Sequence, residues 1–330
     1  MSTPGQIRIG IALALLLAVH AAAAFSTWLA PYPYADQHRD YPYAPPARIH
    51  FTDARGKLYI RPFVYGLTPT ESGGYREDLI HRFQLKVLTH GRLLGVDQPG
   101  VLFLLGTDAY GRDVFSRLLY GARISLVTGL LAAALALGIG LLLGTASGYF
   151  GGWLDHLLMR GGELFLSLPW LYLLLAVRAF LPLQVTPLQA FLLLVAVIGS
   201  VGWVRPSRLI RGVVLSARER PYVLAARGFG ASHFYLIRRH ILPHTWSVLL
   251  TQATILIPQY ILAEVTLSFL GLGVGEPVPS WGNMLVEARQ YHTLATHPWM
   301  LAPGFATIPV LLGYLVLADT LLRYHGAPDS

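Results

Sequence analysis

Six apolar runs, each about as long as the core of a bilayer is thick, divide the 330-residue sequence. A helix needs about 20 apolar residues to cross the hydrocarbon layer, so each run predicts a spanning helix. With 54% hydrophobic and only 13% charged residues, the composition excludes an ordinary soluble domain and predicts an all-α polytopic membrane protein. The runs cover residues 9–29, 124–146, 155–180, 187–204, 246–269 and 299–321.

The first run has two interpretations. Four alanines at residues 21–24 would suit a signal peptidase, so the run could be a cleaved signal peptide. A retained helix is preferred, because the charged region before the run holds only Arg8 and the apolar residues continue past the alanines to Trp28. We therefore predict an N-terminal transmembrane helix within residues 1–30.

Residues 31–104 are polar and contain no run long enough to span a membrane. After a segment rich in proline and tyrosine, Ile49 and Phe51 alternate with polar residues, and Leu58 and Ile60 alternate again after the turn residues DARG. That pattern predicts a β-hairpin. We expect a small extracytoplasmic α/β insertion after the first helix.

A short helix is predicted just before the second run. Residues 105–123 set Val114 and Leu118 among Arg112 and Arg117. Such a mixture is typical of a helix that lies at the membrane interface and leads into a span.

The charge of one loop predicts the orientation of the chain. Between the fourth and fifth runs, residues 205–245 contain eight arginines and a single acid, Glu219. Short loops with such an excess stay in the cytoplasm. The number of spans then puts residues 31–104 outside and both termini, including the tail 323–330, in the cytoplasm.

The same loop predicts a helix-turn-helix element. Pro221 suits the first position of a helix, and Gly228 and Gly230 suit its end. Ser232 is expected to cap a second helix, which Pro243 stops.

This element carries more apolar surface than a loop in water needs. Tyr222, Leu224 and Phe229 present apolar side chains, while Ala225 and Ala226 leave a small surface that a partner's backbone could approach. Exposed apolar surface of this kind marks docking sites. The alternative is an amphipathic pair of helices lying on lipid headgroups.

Three polar residues fall inside the fifth run. Gln252 and Gln259 are seven residues apart and share a helix face, which could line a translocation path or hydrogen-bond a neighbouring helix. Glu264 must face protein or water, because an isolated acid in lipid costs about 3 kcal/mol. It could line the translocation path and meet the amino terminus of a peptide, or bond neighbouring helices together. Trp281, after this run, is expected to be an interfacial anchor.

Several classes of function find no support in the residues. The only two lysines, Lys57 and Lys86, follow no glycine-rich phosphate loop. Cysteine is absent, and the twelve histidines show no metal-ligand spacing. The arginines flank apolar runs and form no stripe for nucleic acid. We predict no catalytic residue, no metal and no cofactor of the chain itself.

Several short motifs of the sequence together resemble the signatures of one known protein family. AARGFGAS at residues 225–232, with HILP at 240–243, resembles the EAA loop of binding-protein-dependent ABC importer permeases. LGTDAYGRDVFSRLLYGARISL, GYFGGWLD, ILAEVTLSFLGLG and PSWGNML are similar to signatures of the second permease subunit in the dipeptide/oligopeptide branch. Together they cover about residues 105–322 in the order and spacing of that branch.

The resemblance implies the type I ABC importer permease fold, with six transmembrane helices in the inner membrane. It implies a heterodimer with a paralogous permease, two cytoplasmic ATPases that bind the ATP, and an external solute-binding protein. The substrates would be di- or oligopeptides, with glutathione, a nickel chelate or a peptide antibiotic as alternatives. The five-helix core would be residues 124–322, with the coupling loop at 205–245.

In the family, the EAA loop is the coupling helix that docks on the ATPase. The family's acid before the two alanines is Leu224 here, so we expect a more apolar contact. The residues to which the role falls are Tyr222, Leu224, Ala225, Ala226, Gly230, Leu242 and Pro243.

Other interpretations remain open. An ion-coupled transporter should show inverted repeats and a cluster of acids at membrane depth, and neither is visible. A membrane-embedded enzyme needs converging catalytic groups, for which the sequence has no motif. The insertion could cover the mouth of the path, contact the binding protein, or be a linker without a transport role.

Overall fold

The computed structural model describes residues 4–70, 74–89, 91–180, 182 and 185–326. Residues 71–73 and 90 of the insertion and 327–330 of the tail lie outside this part. The strands are β1 His50–Thr52, β2 Leu58–Pro69, β3 Tyr75–Gln84, β4 Lys86–Thr89 and β5 Arg92–Gly95. The helices are α1 Pro4–Ala24, α2 Ser26–Leu29, α3 Val114–Phe150, α4 Gly152–Ser167, α5 Trp170–Ala179, α6 Pro187–Val201, α7 Val204–Arg218, α8 Pro221–Gly228, α9 His233–Leu236, α10 Trp246–Phe269, α11 Trp281–Met284, α12 Tyr291–Thr296 and α13 Ala302–Gly326.

The chain divides into two compact units. The long-helix unit holds Met1–Leu16, Leu126–Leu267 and Val310–Ser330, and the sheet unit holds Leu17–Ser125 and Ser268–Pro309. Each unit has its own buried residues.

Four to six helical segments are candidate membrane spans. By length and composition, four helices qualify alone, and two further pairs qualify if each bent pair counts as one span. All six fall on the predicted apolar runs. The four are Ile7–Ala24, Val114–Phe150, His233–Phe269 and Pro298–Arg323; the pairs are Gly152–Ser167 with Trp170–Val177 and Pro187–Val201 with Val204–Arg218.

The third predicted span is broken in its middle. Leu168 adopts an extended conformation, with φ −90° and ψ 138°, and α4 and α5 meet there at 94°. Pro169 follows directly, and a proline disfavours the helical conformation of the residue before it. The break therefore has a local cause in the sequence.

The fourth predicted span does not end in a loop. After a 46° bend behind α6, the chain continues as α7 to Arg218. Ile210, Val214 and Ala217 are buried on one face of α7, at the spacing of an amphipathic helix. The first third of the predicted loop 205–245 is therefore helical, and in the sequence the arginines conceal its apolar stripe.

Glycines let α3 and α7 approach closely. A Cβ added at Gly144 would lie 2.5 Å from the Ser207 carbonyl oxygen, and one at Gly148 would lie 2.9 Å from the Arg211 carbonyl oxygen. A Cβ added at Gly140 would lie 2.9 Å from the Cβ of Pro206. Small residues at such spacing allow helix backbones to pack in a membrane protein.

The sheet unit contains the predicted hairpin. β1 pairs antiparallel with β2, β2 with β3, and β4 with β5. In the turn after β1, the Asp53 carboxylate accepts hydrogen bonds from the backbone N–H groups of Arg55 and Lys57, at 2.9 and 3.0 Å. Gly56 supplies the positive φ of +81° that this turn requires. The described residues of the insertion form strands and turns.

The separate interfacial helix predicted over residues 105–123 is not what the structure shows. Residues 107–113 form a turn closed by a bridge between Thr107 and Asp113, and α3 then runs from Val114 to Phe150 without a break. Asp113 begins the helix, because its carboxylate accepts hydrogen bonds from the Ser116 backbone N–H and hydroxyl, at 2.8 and 2.6 Å. Burial raises the pKa of Asp113 to about 7.

Buried ion pairs hold this turn to the segment after α10. Arg112 donates to Asp108 at 2.6 Å and to Glu276 at 2.6 Å. Arg117, almost fully buried, donates to the same Glu276 carboxylate at 3.1 and 3.2 Å. Removing one partner would leave a buried charge unpaired, which is strongly destabilising.

Trp281 is a core residue, so the prediction of an interfacial anchor was wrong. Its side chain is 1% exposed, and its indole N–H donates to the Leu118 carbonyl at 3.1 Å. Ser280 caps α11 and holds the ring in place, accepting from the Asn283 N–H at 3.2 Å. Sequence alone does not distinguish a tryptophan at an interface from one packed beneath it.

The glycine contact between α3 and α7 gives a testable prediction. We expect Gly144→Ala to lower the free energy of unfolding by about 1–3 kcal/mol, because the methyl group must displace a backbone carbonyl. Gly138→Ala is the matched control on the same helix, since no heavy atom lies within 4 Å of its added Cβ. Thermal unfolding in detergent should separate the two, and equal midpoints would contradict the close packing.

Candidate functional site

Helix α8 lies in the arginine-rich segment 205–245, and most of its residues are exposed. It begins at Pro221, as predicted, after Arg220 in an extended conformation. It ends in a left-handed turn at Gly230, with φ +81°. The Ala231 N–H donates to the Ala226 carbonyl and the Gly230 N–H to the Arg227 carbonyl, at 3.1 and 3.0 Å. These two bonds form the usual glycine closure of a helix.

One face of α8 is anchored and the other is exposed. Val223 is buried, whereas Tyr222 and Leu224 are 43% and 47% exposed. Ala225 is exposed, Ala226 is half-buried, and Phe229 after the helix is 93% exposed. A fixed helix thus presents apolar side chains around a pair of small ones.

The second arm does not stop at Pro243, so that part of the prediction was wrong. Ser232 caps α9 as expected, accepting from the Tyr235 N–H at 3.3 Å. A π-helical turn, Ile237–Ile241, and a 3-10 turn, Leu242–Thr245, then lead directly into α10. Pro243 lies in the first turn of the 3-10 segment, where a missing N–H costs little.

The two arms contact each other. The Tyr222 hydroxyl and His244 Nε2 are 2.5 Å apart, and the Tyr222 and His240 rings are 5.8 Å apart. Leu242 is half-buried and Pro243 is exposed beside this contact. The structure therefore brings the predicted residues of both arms into one surface.

Helix α7 and the α8–α9 pair are tied to the end of α3. Arg218 donates to the carbonyls of Gly148 and Tyr149, at 2.9 and 3.2 Å. A cation at this end of a helix is favourable, because the last carbonyls have no partners within the helix. The Tyr149 hydroxyl is 2.7 Å from His233 Nδ1, which fixes α9 to the same place.

A bidentate ion pair completes this junction. Arg211 on α7 donates through Nε and Nη2 to the two carboxylate oxygens of Asp155 on α4, at 2.5 Å each. The Ser147 hydroxyl on α3 hydrogen-bonds to the same carboxylate. Asp155 thus joins three helices. Among the cationic side chains, only arginine can bind a carboxylate through two parallel N–H groups in this way.

The predicted path residues separate into two groups. Gln252 and Gln259 are half-buried and line one cavity on the long-helix unit, together with Arg205 and Arg208 of α7. Glu264 is fully buried and lies outside that lining. Among the described residues, no group of three or more His, Asp or Glu side chains could hold a metal ion.

Sequence reasoning missed four functional candidates. Asp155 and Arg211 are 56 residues apart, and nothing in either segment indicates the pair. Trp170 and Tyr260, whose rings are 6.2 Å apart, read as ordinary apolar residues of a span. The one available signal was Pro169, which predicts a helix break beside Trp170.

The fold and these surfaces define a multi-pass membrane protein with an exposed helix that carries apolar side chains. The profile of one family, described as the binding-protein-dependent transport system inner membrane component, matches residues 119–326. The chain belongs to this family. It is therefore a multi-pass protein of the inner membrane, and its class works with an ATPase and a binding protein.

Three relatives illustrate the similarity. The chain is 38% identical to the dipeptide transport system permease protein DppC of Alkalihalophilus pseudofirmus, over 68% of this chain and 71% of the relative. It is 35% identical to the oligopeptide transport system permease protein OppC of Bacillus subtilis, over 69% and 73%. It is 34% identical to the glutathione transport system permease protein GsiD of Pectobacterium atrosepticum, over 68% and 72%.

The Asp155–Arg211 pair should stabilise the fold measurably. In a double-mutant cycle of Asp155→Asn and Arg211→Gln, we expect a coupling free energy of about 1 kcal/mol, since the pair is bidentate and partly shielded. Arg160 and Glu163, 81% and 51% exposed, form a matched pair for which we expect almost no coupling. Thermal unfolding in detergent measures both cycles, and equal coupling would count against a special role of Asp155.

Proposed function

We propose that this chain is the permease subunit of an ATP-driven importer for di- or oligopeptides. It forms the translocation path with a paralogous permease. Two ATPases bind on the cytoplasmic side, and an external solute-binding protein delivers the substrate. The chain itself binds no nucleotide and catalyses no reaction.

The observation that carries the proposal is the exposed surface of α8. Tyr222, Leu224 and Phe229 surround two small alanines on a helix anchored by Val223. Helices of this kind fit into a groove of a partner protein. We assign the partner side of this contact to the ATPase, with Ala225, Ala226, Gly230, Leu242 and Pro243 as further contact residues.

The proposal includes an orientation. The excess of arginine around α8 favours a cytoplasmic location for this surface and for both termini. The sheet-bearing insertion then lies outside, where it is available to the binding protein. Its role there is part of the proposal, with a passive linker as the alternative.

Substrate chemistry is supported by the relatives. Two of the three named above carry dipeptide or oligopeptide transport in their names. The name of the third specifies glutathione, itself a small peptide, which makes glutathione the second candidate.

Uptake by the complete complex tests the proposal. In proteoliposomes that contain this chain, its partner permease, both ATPases and the binding protein, we expect accumulation of a labelled dipeptide that requires ATP and the binding protein. Accumulation of glutathione but not of dipeptides would favour the second candidate. Uptake that persists without ATPases would contradict the assignment.

A single substitution tests the docking helix. We expect Ala226→Arg to abolish uptake and co-purification of the ATPases, because a long charged side chain would stand between the two surfaces. Insertion into the membrane should be unchanged. Ala54→Arg, on the exposed hairpin turn, is the control and should retain both properties. Normal ATPase co-purification with Ala226→Arg would overturn the docking role.

A further inference from the structure

Two adjoining cavities lie on the long-helix unit where its helices are broken. One, of about 260 Å³, borders both the α4–α5 and the α6–α7 bends; the other, of about 420 Å³, extends along α10. Transport proteins often bind substrate where spanning helices are interrupted. The two cavities form one groove, because they share Leu166, Arg205, Leu256 and Gln259.

Arg205 places a positive charge at this groove that no described acidic residue pairs with. It lines both cavities and forms no ion pair with any described residue. Its neighbours on α7 differ: Arg208 lies 3.4 Å from Glu163, and Arg211 is paired with Asp155. A guanidinium left open beside an apolar cavity is a receptor for a carboxylate, which it can bind through two parallel hydrogen bonds.

The smaller cavity of the groove is also lined by aromatic residues and holds an unsatisfied polar atom. The Trp170 and Tyr260 rings are 6.2 Å apart. The Tyr260 hydroxyl is buried and has no hydrogen-bond partner within the described residues. A Cβ on Gly202 would lie 1.7 Å from this oxygen, so a larger residue at the α6–α7 bend would have to displace the Tyr260 side chain. Buried hydroxyls are normally hydrogen-bonded, and a ligand atom would satisfy this one.

Gln252 and Gln259 connect the parts of the groove. Both are half-buried on one face of α10, and both line the larger cavity. A glutamine amide donates and accepts hydrogen bonds, as the peptide bond does, and can therefore follow a peptide backbone whatever its side chains.

We propose that this groove is a peptide subsite of the translocation path, an inference that rests on the proposed function. Arg205 binds the free C-terminal carboxylate. Gln252 and Gln259 hydrogen-bond the backbone. Trp170 and Tyr260 accept a large apolar or aromatic side chain. The subsite thus favours short peptides with a free C-terminus and a bulky apolar residue, while tolerating variation elsewhere.

Photolabelling tests the subsite directly. The probe is an alanyl dipeptide with a C-terminal p-benzoylphenylalanine, applied to the complete complex in phosphatidylcholine vesicles. We expect the label on residues 165–170 or 252–260, mapped by mass spectrometry. We also expect alanyl-phenylalanine to compete at a concentration at least tenfold lower than its C-terminal amide. Label elsewhere on the complex, or only on the partner permease, would overturn the proposal.

Variants sharpen the test. Arg205→Gln should reduce labelling at least tenfold and remove the preference for the acid over the amide. Arg160→Gln removes one arginine from α4 outside the groove and should leave labelling unchanged. Unaltered labelling in Arg205→Gln would refute the carboxylate role. If a variant fails to assemble, the labelled positions in the unsubstituted complex still decide whether the peptide binds in this groove.

Three outcomes separate this inference from its alternatives. If phosphatidylglycerol added to the vesicles abolishes the labelling, the groove binds an anionic lipid headgroup and the proposal is wrong. If dipeptide uptake is normal but the label lies elsewhere, the subsite fails while the proposed function stands. If the complex takes up no peptide, the proposed function itself fails.

Discussion

The close crossing of α3 and α7 is the contact on which the position of the exposed helix α8, the proposed docking surface, depends. Gly140, Gly144 and Gly148 bring the two backbones together, so that α7 follows α3 to its end. Without bulky side chains between them, neither helix can shift alone without losing van der Waals contact along the crossing. The crossing holds α7, which leads into α8, against a long helix of the same unit.

Polar contacts then fix the end of that crossing. Arg218 binds the last carbonyls of α3, and Arg211 joins α7 to α4 through Asp155. Charges are expensive near lipid unless they are paired, so these contacts specify one arrangement of the three helices. A force on α8 therefore acts on α3 and α4 together. We infer that an ATPase bound to α8 would move α3, α4 and α7 as a set, and α4 and α7 border the groove.

The sequence predicted most of the membrane architecture, because long apolar runs have few alternative structures. The fifth predicted span has the same bounds as α10, Trp246–Phe269. Gly230 closes α8 as expected, since few other residues adopt a positive φ without strain. The hairpin was likewise predictable from alternation and turn residues.

The errors have physical reasons. α7 was taken for a loop because its arginines outweigh a narrow apolar stripe. Pro243 was taken for a stop because the 3-10 turn that accommodates it, Leu242–Thr245, has no sequence signature. Only half of the candidate groove was predicted. The spacing of Gln252 and Gln259 indicated a shared helix face. Arg205 follows the α6–α7 bend, whose angle no sequence pattern specifies, and nothing in the sequence of α10 marks Tyr260.

Leu224 remains the most informative position for the central claim that α8 docks on the ATPase. The chain has no cysteine, so Leu224→Cys introduces a single reactive thiol. A short reagent that joins a thiol to an amine should cross-link this position to the ATPase in the assembled complex. Leu58→Cys, on the insertion and more exposed than Leu224, should give no such product. Cross-linking of the ATPase at Leu58→Cys, or none at Leu224→Cys, would contradict the account.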